Sequence, residues 1–471
     1  MTKRKSGLAG LLAALCLVSL TGCGGKAEVA ESPARTGELA ALSDEAYFEQ
    51  EFSPVVRFVV ASDVHVADLN SQQEEQRLAD LFAVAYDYAA GQENYTGLDG
   101  VFFAGDVSDR GTPFSLQKFF SIVEENVREG TVVRATMGNH EYYDNAELAE
   151  YRFLTASGYE SADAHLEVGG YHFIFLSPDK GGKGYSGEKR DFLADALEEA
   201  AKDDPTGRKP IFVLQHHHVK KTVLGSGRWG VEDLKDILKK YPQVIDFSGH
   251  SHFPISDPRS VWQKEFTALG TGTLSYYEMD MAGVYDDYIF PTDRDGGWAD
   301  SATGERDAAQ FYIVEVDANH AVKVQGYDLL SGDWMIEPIF IRSVGDTSEF
   351  VYTAARYETA QSPVFSADAA VTLEEVSGDK VTLRFPQAEG DHVQHYQCAL
   401  YCGDERVYFA LRLACTDFRP VPETISVTFE RLEKGKTYTA EIVAVSAFEK
   451  KSQPLTFEMT LTEPGQFLEG A

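Results

Sequence analysis

Short apolar runs recur through the first half of this chain, and each stops at a glycine or a polar residue: 55–60, 100–103, 131–133, 211–214 and 244–247. Runs of that length read as buried strands. Between them, amphipathic helical periodicity covers 72–90, 115–128, 188–202 and 231–240. The alternation predicts an α/β core. Further on, 266–277, 309–316 and 321–328 read as strands able to finish a second sheet, separated by an excursion over 280–307 rich in Asp, Gly and aromatic residues. From residue 370 the period changes to two, as in 381–385, 395–401 and 432–445, which predicts an all-β sandwich. The expected organisation is a catalytic region over 55–345, a linker over 346–361 and a second domain over 362–463.

The amino terminus changes the picture of where the chain resides. Lys3-Arg4-Lys5 precedes an apolar stretch over 8–20 that ends in Leu20-Thr21-Gly22-Cys23. This is a secretory signal, and its apolar part is short of the about 20 residues that a membrane span needs. Its close resembles the bacterial lipobox, which implies cleavage after Gly22, lipid on Cys23 and anchoring at the extracytoplasmic face of a bacterial cell membrane. Two-chain lipidation gives stable anchoring. Residues 23–54, rich in Ala, Glu, Ser and Gly, read as a flexible tether behind the 1–22 signal peptide.

Charge narrows the partners. Losing Lys3, Arg4 and Lys5 with the leader takes the formal charge from −33 to −36. Duplex nucleic acid is excluded, because its binding runs on neutralisation of phosphates by Lys and Arg. A small or surface-borne phosphorylated substrate remains compatible if bound cations dominate the local field, and added salt is then expected to speed its capture. Cys398, Cys402 and Cys415 remain in the mature body. The first two, about 13 Å apart along a regular strand, are too distant to bridge each other. Either could pair with Cys415, or all three could be buried as small apolar residues.

Five motifs carry the candidate chemistry: Asp63-x-His65, Gly105-Asp106-x-x-Asp109-Arg110, Gly138-Asn139-His140-Glu141, His216-His217-His218 and Gly249-His250-x-His252. Each follows one of the strand-like runs, and ligands just past strand ends converge at the carboxyl edge of an α/β sheet. Imidazoles, carboxylates and an amide oxygen, without thiolate, suit Mn, Fe, Co, Ni or Zn. Two such ions about 3.5–4 Å apart need an anionic bridge, and Asp106 can supply it.

In these motifs the chain resembles the calcineurin-like metallophosphoesterase superfamily, whose pattern is D-x-H, G-D-x-x-D, G-N-H-[DE], an isolated His and G-H-x-H. The resemblance covers roughly residues 55–340. It implies two facing mixed sheets flanked by helices, and two divalent or trivalent transition-metal ions. Asp63, His65 and His252 would hold the first metal, Asn139, His216 and His250 the second, and Asp106 would bridge them. His140 would be the catalytic histidine, oriented by the Asp109 carboxylate, and Arg110 would grip phosphate as in protein serine/threonine phosphatases. The Gly249 to His252 close is instead that of the branch with class III cyclic-nucleotide phosphodiesterases, glycerophosphodiesterases and relatives of purple acid phosphatases. Where that branch has His-His-Pro, this chain has a His triplet, and His216 aligns with the ligand; His217 and His218 read as neighbours.

The implied activity is hydrolysis of phosphate esters, by in-line attack of a metal-bound hydroxide. Phosphodiesterase and phosphomonoesterase action both remain open, as does a non-catalytic surface-binding lipoprotein. Residues 219–230, with Lys220, Lys221, Arg228 and Trp229, read as a specificity loop, and Tyr142 and Tyr143 belong at the cleft by position. The run Leu-x-x-Gly-x-x-Tyr-x-x-x-Ile-x-Ala-Val at 432–445 resembles fibronectin type III domains, with Tyr438 in the place of their tyrosine corner. Such a module implies spacing, docking, or contact with protein or glycan.

Overall fold

The strand Pro54–Ala61 divides its side chains between two cores, with Val56, Phe58 and Val60 on one face and Val59 and Ala61 on the other. Burial on both faces is why its sequence reads as a continuous apolar run. The computed structural model describes residues 43–277, 306–463 and 466–469. The leader, Cys23 with the tether up to residue 42, and residues 280–305 of the excursion lie outside the described residues.

Pro54–Ala61 pairs in parallel with Gly100–Phe103, which pairs in parallel with Val132–Ala135. On its other side run Gln310–Asp317 and Val322–Asp328, both antiparallel to their neighbours. A second sheet begins with the hairpin of Ala164–Val168 and Tyr171–Leu176. It continues in parallel through Ile211–Gln215, Val244–Ser248 and Thr267–Gly270, and closes on antiparallel Val261–Gln263. The sheets face each other across an aromatic layer in which the Phe58 ring lies 4.9 Å from Phe173 and 4.8 Å from Phe212. Helices Gln72–Ala90, Pro113–Asn126 and Ala149–Ser157 cover the outside of the first sheet, and Gly187–Asp203 covers the second. This is the α/β two-sheet sandwich flanked by helices.

Three expectations need correction. The helix expected over 231–240 shrinks to Lys235–Leu238, because the Val231 N–H donates to the His218 carbonyl and the Val231 carbonyl accepts from Lys220, which holds Val231 extended. The strand expected over 266–277 breaks into Thr267–Gly270 and Tyr276–Tyr277, because the Leu274 N–H and the Thr273 and Ser275 hydroxyls turn toward carbonyls of Ser62 and Asp63. The tether does not extend to residue 54. Helix Asp44–Gln50 packs on the body, its Phe48 ring stacked 4.2 Å from Phe340 and its Tyr47 hydroxyl donating to Asp317.

Beyond the first body, strands from Thr372 onward form one sheet of three and one of five around Val381, Leu383, Tyr396, Phe429, Tyr438 and Met459, an additional all-β sandwich. Buried Tyr438 accepts the Glu433 N–H through its hydroxyl at 2.8 Å. Cys398, Cys402 and Cys415 form no disulfide with one another, and burial pushes the Cys398 thiol up to about 12. The segment between the bodies is packed: the Arg356 guanidinium donates to the carbonyls of Pro258 and Val261 at 2.7 and 2.6 Å. Among the described residues no helix is long and apolar enough to cross a membrane.

Candidate metal centre

Each motif sits where a parallel strand ends. Asp63 and His65 follow Pro54–Ala61, Asp106 follows Gly100–Phe103, and Asn139 and His140 follow Val132–Ala135. His216 follows Ile211–Gln215, and His250 and His252 follow Val244–Ser248. The sheets therefore deliver their ligand candidates from both sides of one cleft. Asp63, His65, Asp106, His250 and His252 all have positive φ, between 51° and 76°. Such backbone is costly for side chains other than glycine, and it persists where the surroundings over-determine it.

Two groups of side chains converge. His252 Nε2 lies 3.1 Å from Asp63 Oδ1 and 3.1 Å from His65 Nε2. His216 Nε2 lies 2.9 Å from Asn139 Oδ1 and 3.0 Å from Asp106 Oδ2. Ligand atoms of Asp106, His216 and His250 lie within 4.8 Å of one another, as do those of Asp63, His65 and His252. His140 Nε2 stands 3.9 Å from Asp106 Oδ2, and its ring is 4.4 Å from that of His65.

The tautomers decide what this convergence means. His252 Nδ1 is 2.9 Å from the Tyr276 carbonyl and His216 Nδ1 is 2.9 Å from that of Ala104. A carbonyl only accepts, so both Nδ1 atoms carry protons and both Nε2 atoms face oxygen acceptors. Several acceptors turned toward one point call for a cation there, a proton or a metal ion. Titration tells the same story: burial opposes protonation of His216, but Asp106 outweighs it and raises the imidazole to about 9. Positive charge is thus drawn to the point that a metal ion would occupy. Burial would raise the carboxyls of Asp63 and Asp106, yet His252 and His216 respectively hold them well below the usual range. Burial and then His252 lower His65 to about 3, and burial with His216 lowers His250. These two are neutral imidazoles, as ligation requires.

Glycines give the ligands room. A Cβ on Gly138 would stand 2.1 Å from Asp106 Oδ1, and one on Gly105, whose φ is +87°, would stand 2.6 Å from the His216 ring.

Residues 56–254 match the family described as Calcineurin-like phosphoesterase. This stretch is thus similar to calcineurin-like phosphoesterase domains. Phosphoesterases of this kind use dinuclear metal centres, which the donor set here fits. Among solved structures, the chain is similar to the purple acid phosphatase PPD1 from yellow lupin (Lupinus luteus) seeds, at 14% identity over 62% of this chain and a TM-score of 0.40. It spans about half of that enzyme, 54% of its length. It is also similar to PhoD, at 10% identity over 61% of this chain and 72% of that one, TM-score 0.36. The fn3 domain of the human collagen alpha-1(XX) chain is similar at 15% identity over 24% of this chain and 96% of that one, TM-score 0.17. Comparison with curated protein sequences gives no match.

Around the candidate metal centre, the structure places the remaining candidates unevenly. His140 Nδ1 meets the main-chain carbonyl of Asp109 at 2.7 Å, whereas the carboxylate expected to orient it lies at 3.8 Å. The turn that brings Asp109 back over the histidine presents its backbone first. The Arg110 side chain is exposed beside it and makes no hydrogen bond or ion pair with any described residue, while its carbonyl accepts the Asp144 N–H at 2.9 Å. Both nitrogens of His218 are taken by the hydroxyls of Ser248 and Ser251, at 2.8 and 2.7 Å. His217 packs 4.6 Å from the His250 ring, with its Nδ1 buried and unpartnered. Trp229 stands edge-on to His250 at 5.6 Å, so the 219–230 loop does reach the cleft.

Glu141 is the residue whose part the sequence did not reveal. Its buried carboxylate accepts the N–H groups of Asp106, Ser108 and Gly138 at 3.1, 2.9 and 2.6 Å, and the Ser108 hydroxyl at 3.0 Å. It thereby ties the second motif to the third. Burial and then the Asp106 charge push it up to about 7. Its place in Gly138-Asn139-His140-Glu141 was visible, but its partners come from another strand.

Proposed function

We propose that this chain is a lipid-anchored, extracytoplasmic phosphoesterase that hydrolyses phosphate esters by in-line displacement at a dinuclear centre. The observation that carries the reading is the pair of converging donor sets on either side of Asp106. Asp63, His65 and His252 would hold one ion, Asn139, His216 and His250 the other, with Asp106 between them. When bound, the two ions polarise the phosphoryl oxygen and make water nucleophilic near neutral pH.

The protein's own groups do the rest. The Asp109 carbonyl fixes the His140 ring through its Nδ1–H, and Nε2, once protonated, is the end that would hand a proton to the departing oxygen. The Asp106 carboxylate accepts the His140 N–H at 2.8 Å, so the catalytic imidazole and the bridging ligand are held in one register. Arg110, exposed at the rim, is free to take a substrate phosphate oxygen. Trp229 stands against the ligand candidate His250, and Tyr143 against His140.

Lipid on Cys23 would keep this site outside the cytoplasmic membrane, and the fibronectin type III-like sandwich would act as a docking or spacing module. The test is turnover by purified residues 24–471, stripped of metal and reloaded with Mn, Fe, Zn or Co, on paired aryl phosphate monoesters and diesters. Metal-dependent turnover is expected, with His140→Ala slower by about 10²–10⁴-fold at unchanged metal content. The preferred member of each pair identifies the ester class. Hydrolysis that persists after chelation and in His140→Ala would refute the mechanism.

A further inference from the structure

Tyr143 is 51% exposed, yet both ends of its side chain are engaged in the site. Its hydroxyl accepts a hydrogen bond from Asn139 Nδ2 at 2.7 Å, and its ring lies 4.2 Å from that of His140 at a tilt of 38°. The local fold explains the reach. The short turn His140–Tyr142 brings the Tyr143 N–H onto the His140 carbonyl, so residues 139 and 143 stand one helical turn apart, where side chains four residues apart meet.

An asparagine amide has two chemically opposite ends, an accepting oxygen and a donating nitrogen. At Asn139 the oxygen faces His216 Nε2 at 2.9 Å, on the side of the second metal position. Turning the amide over would aim N–H donors at the place where a cation belongs and withdraw the oxygen from it. Selection of the useful orientation needs an acceptor on the nitrogen side, and the Tyr143 hydroxyl is that acceptor.

The geometry points to Tyr143 as a positioning residue that sets the Asn139 amide so that its oxygen, and not its nitrogen, enters the second metal position. The inference rests on the reading of the cleft as a dinuclear centre. Tyr143 itself touches neither ion nor reacting atoms. Loss of a group that orients a metal ligand typically costs about 10–100-fold in affinity, and here that cost should fall on one of the two positions only.

The experiment is calorimetric titration of Mn(II) into stripped residues 24–471, comparing wild type, Tyr143→Phe, Asn139→Ala, the double variant, and Tyr151→Phe as an exposed control. Tyr143→Phe keeps the ring and removes only the hydroxyl. Expected is a loss of about tenfold or more in the same binding event that Asn139→Ala weakens, with the other event and the Tyr151→Phe control unchanged. In the Asn139→Ala background, Tyr143→Phe should have no further effect, since the group through which it acts is gone. A general structural disturbance would weaken both events alike, and that result overturns the inference. So does a Tyr143→Phe effect that persists in full in the double variant. Two wild-type binding events that Tyr143→Phe leaves untouched would overturn the positioning role alone. A wild-type chain that binds no Mn(II) would overturn it together with the metal-centre reading.

Discussion

At the scale of residues, the site is built from groups that would be unstable anywhere else. Five ligand candidates sit on positive-φ backbone, at an expense of order 1–3 kcal/mol each. Asp63 and Asp106 are buried among imidazoles that hold them ionised. Glu141 offsets part of this by serving buried donors from two motifs at once. Glu141→Gln would turn an amide N–H₂ toward main-chain N–H groups that now find a carboxylate oxygen. Leaving buried donors unpaired costs about 1–3 kcal/mol apiece, so the variant is expected to melt at lower temperature and to retain less metal. Unchanged melting and unchanged metal content would show that the carboxylate is dispensable as an acceptor.

At the scale of elements, the strands deliver their ligands only if they stay in register, and one of them carries a charge it would shed. Asp246 lies within Val244–Ser248, fully buried, with Gln215 Nε2 3.3 Å from its Oδ1. Burial pushes its carboxyl from 3.8 up to about 7. The folded protein therefore keeps this proton to higher pH than the unfolded chain does. Stability is full below the ordinary carboxyl range and declines as pH rises toward 7, by an amount on the order of 4 kcal/mol at most. Asp246→Asn is expected to raise the melting temperature clearly at pH 8 and little at pH 4; equal gains at both would contradict the linkage. Elements were legible in proportion to how local their causes are. The helix Gln72–Ala90 shows its own periodicity and lies where it was expected, and Pro113–Asn126 shows its own too, though it begins two residues before the expected 115–128 at its Thr112 cap. The five motif strands were legible as apolar runs. The hairpin Ala164–Val168 and Tyr171–Leu176 was not, because its first strand has only partial burial and mixed residues. The break after Thr267–Gly270 was invisible for another reason: its causes are carbonyls of Ser62 and Asp63, some 210 residues away in the chain. The same holds for the Tyr276 and Ala104 carbonyls that fix the tautomers of His252 and His216. Sequence shows the ligands, and only the fold shows what aims them.

At the scale of the whole molecule, the sandwich is joined to the α/β body close to the candidate site. Leu411 and Leu413 pack with Leu224, Phe253, Tyr277 and Ala308. Phe253 adjoins His252, and Tyr277 adjoins the residue whose carbonyl holds that histidine. A polar network continues the junction: Arg259 grips Asp257 through two nitrogens at 2.9 and 2.6 Å, and His392 lies 3.7 Å from Asp257 and 3.5 Å from Asp417. Asp417 in turn accepts the Ser256 hydroxyl at 2.5 Å. The cleft thus draws ligands from two sheets and mechanical support from a third layer of strands. This architecture makes one central claim, that two metal ions sit side by side between the sheets. The measurement that tests it most directly is anomalous diffraction from crystals equilibrated with Mn(II). Two peaks about 3.5–4 Å apart are expected, one bounded by Asp63, His65 and His252, the other by Asn139, His216 and His250, with Asp106 between. A fully ordered cleft with no peak, or peaks only at sites remote from these residues, would contradict it.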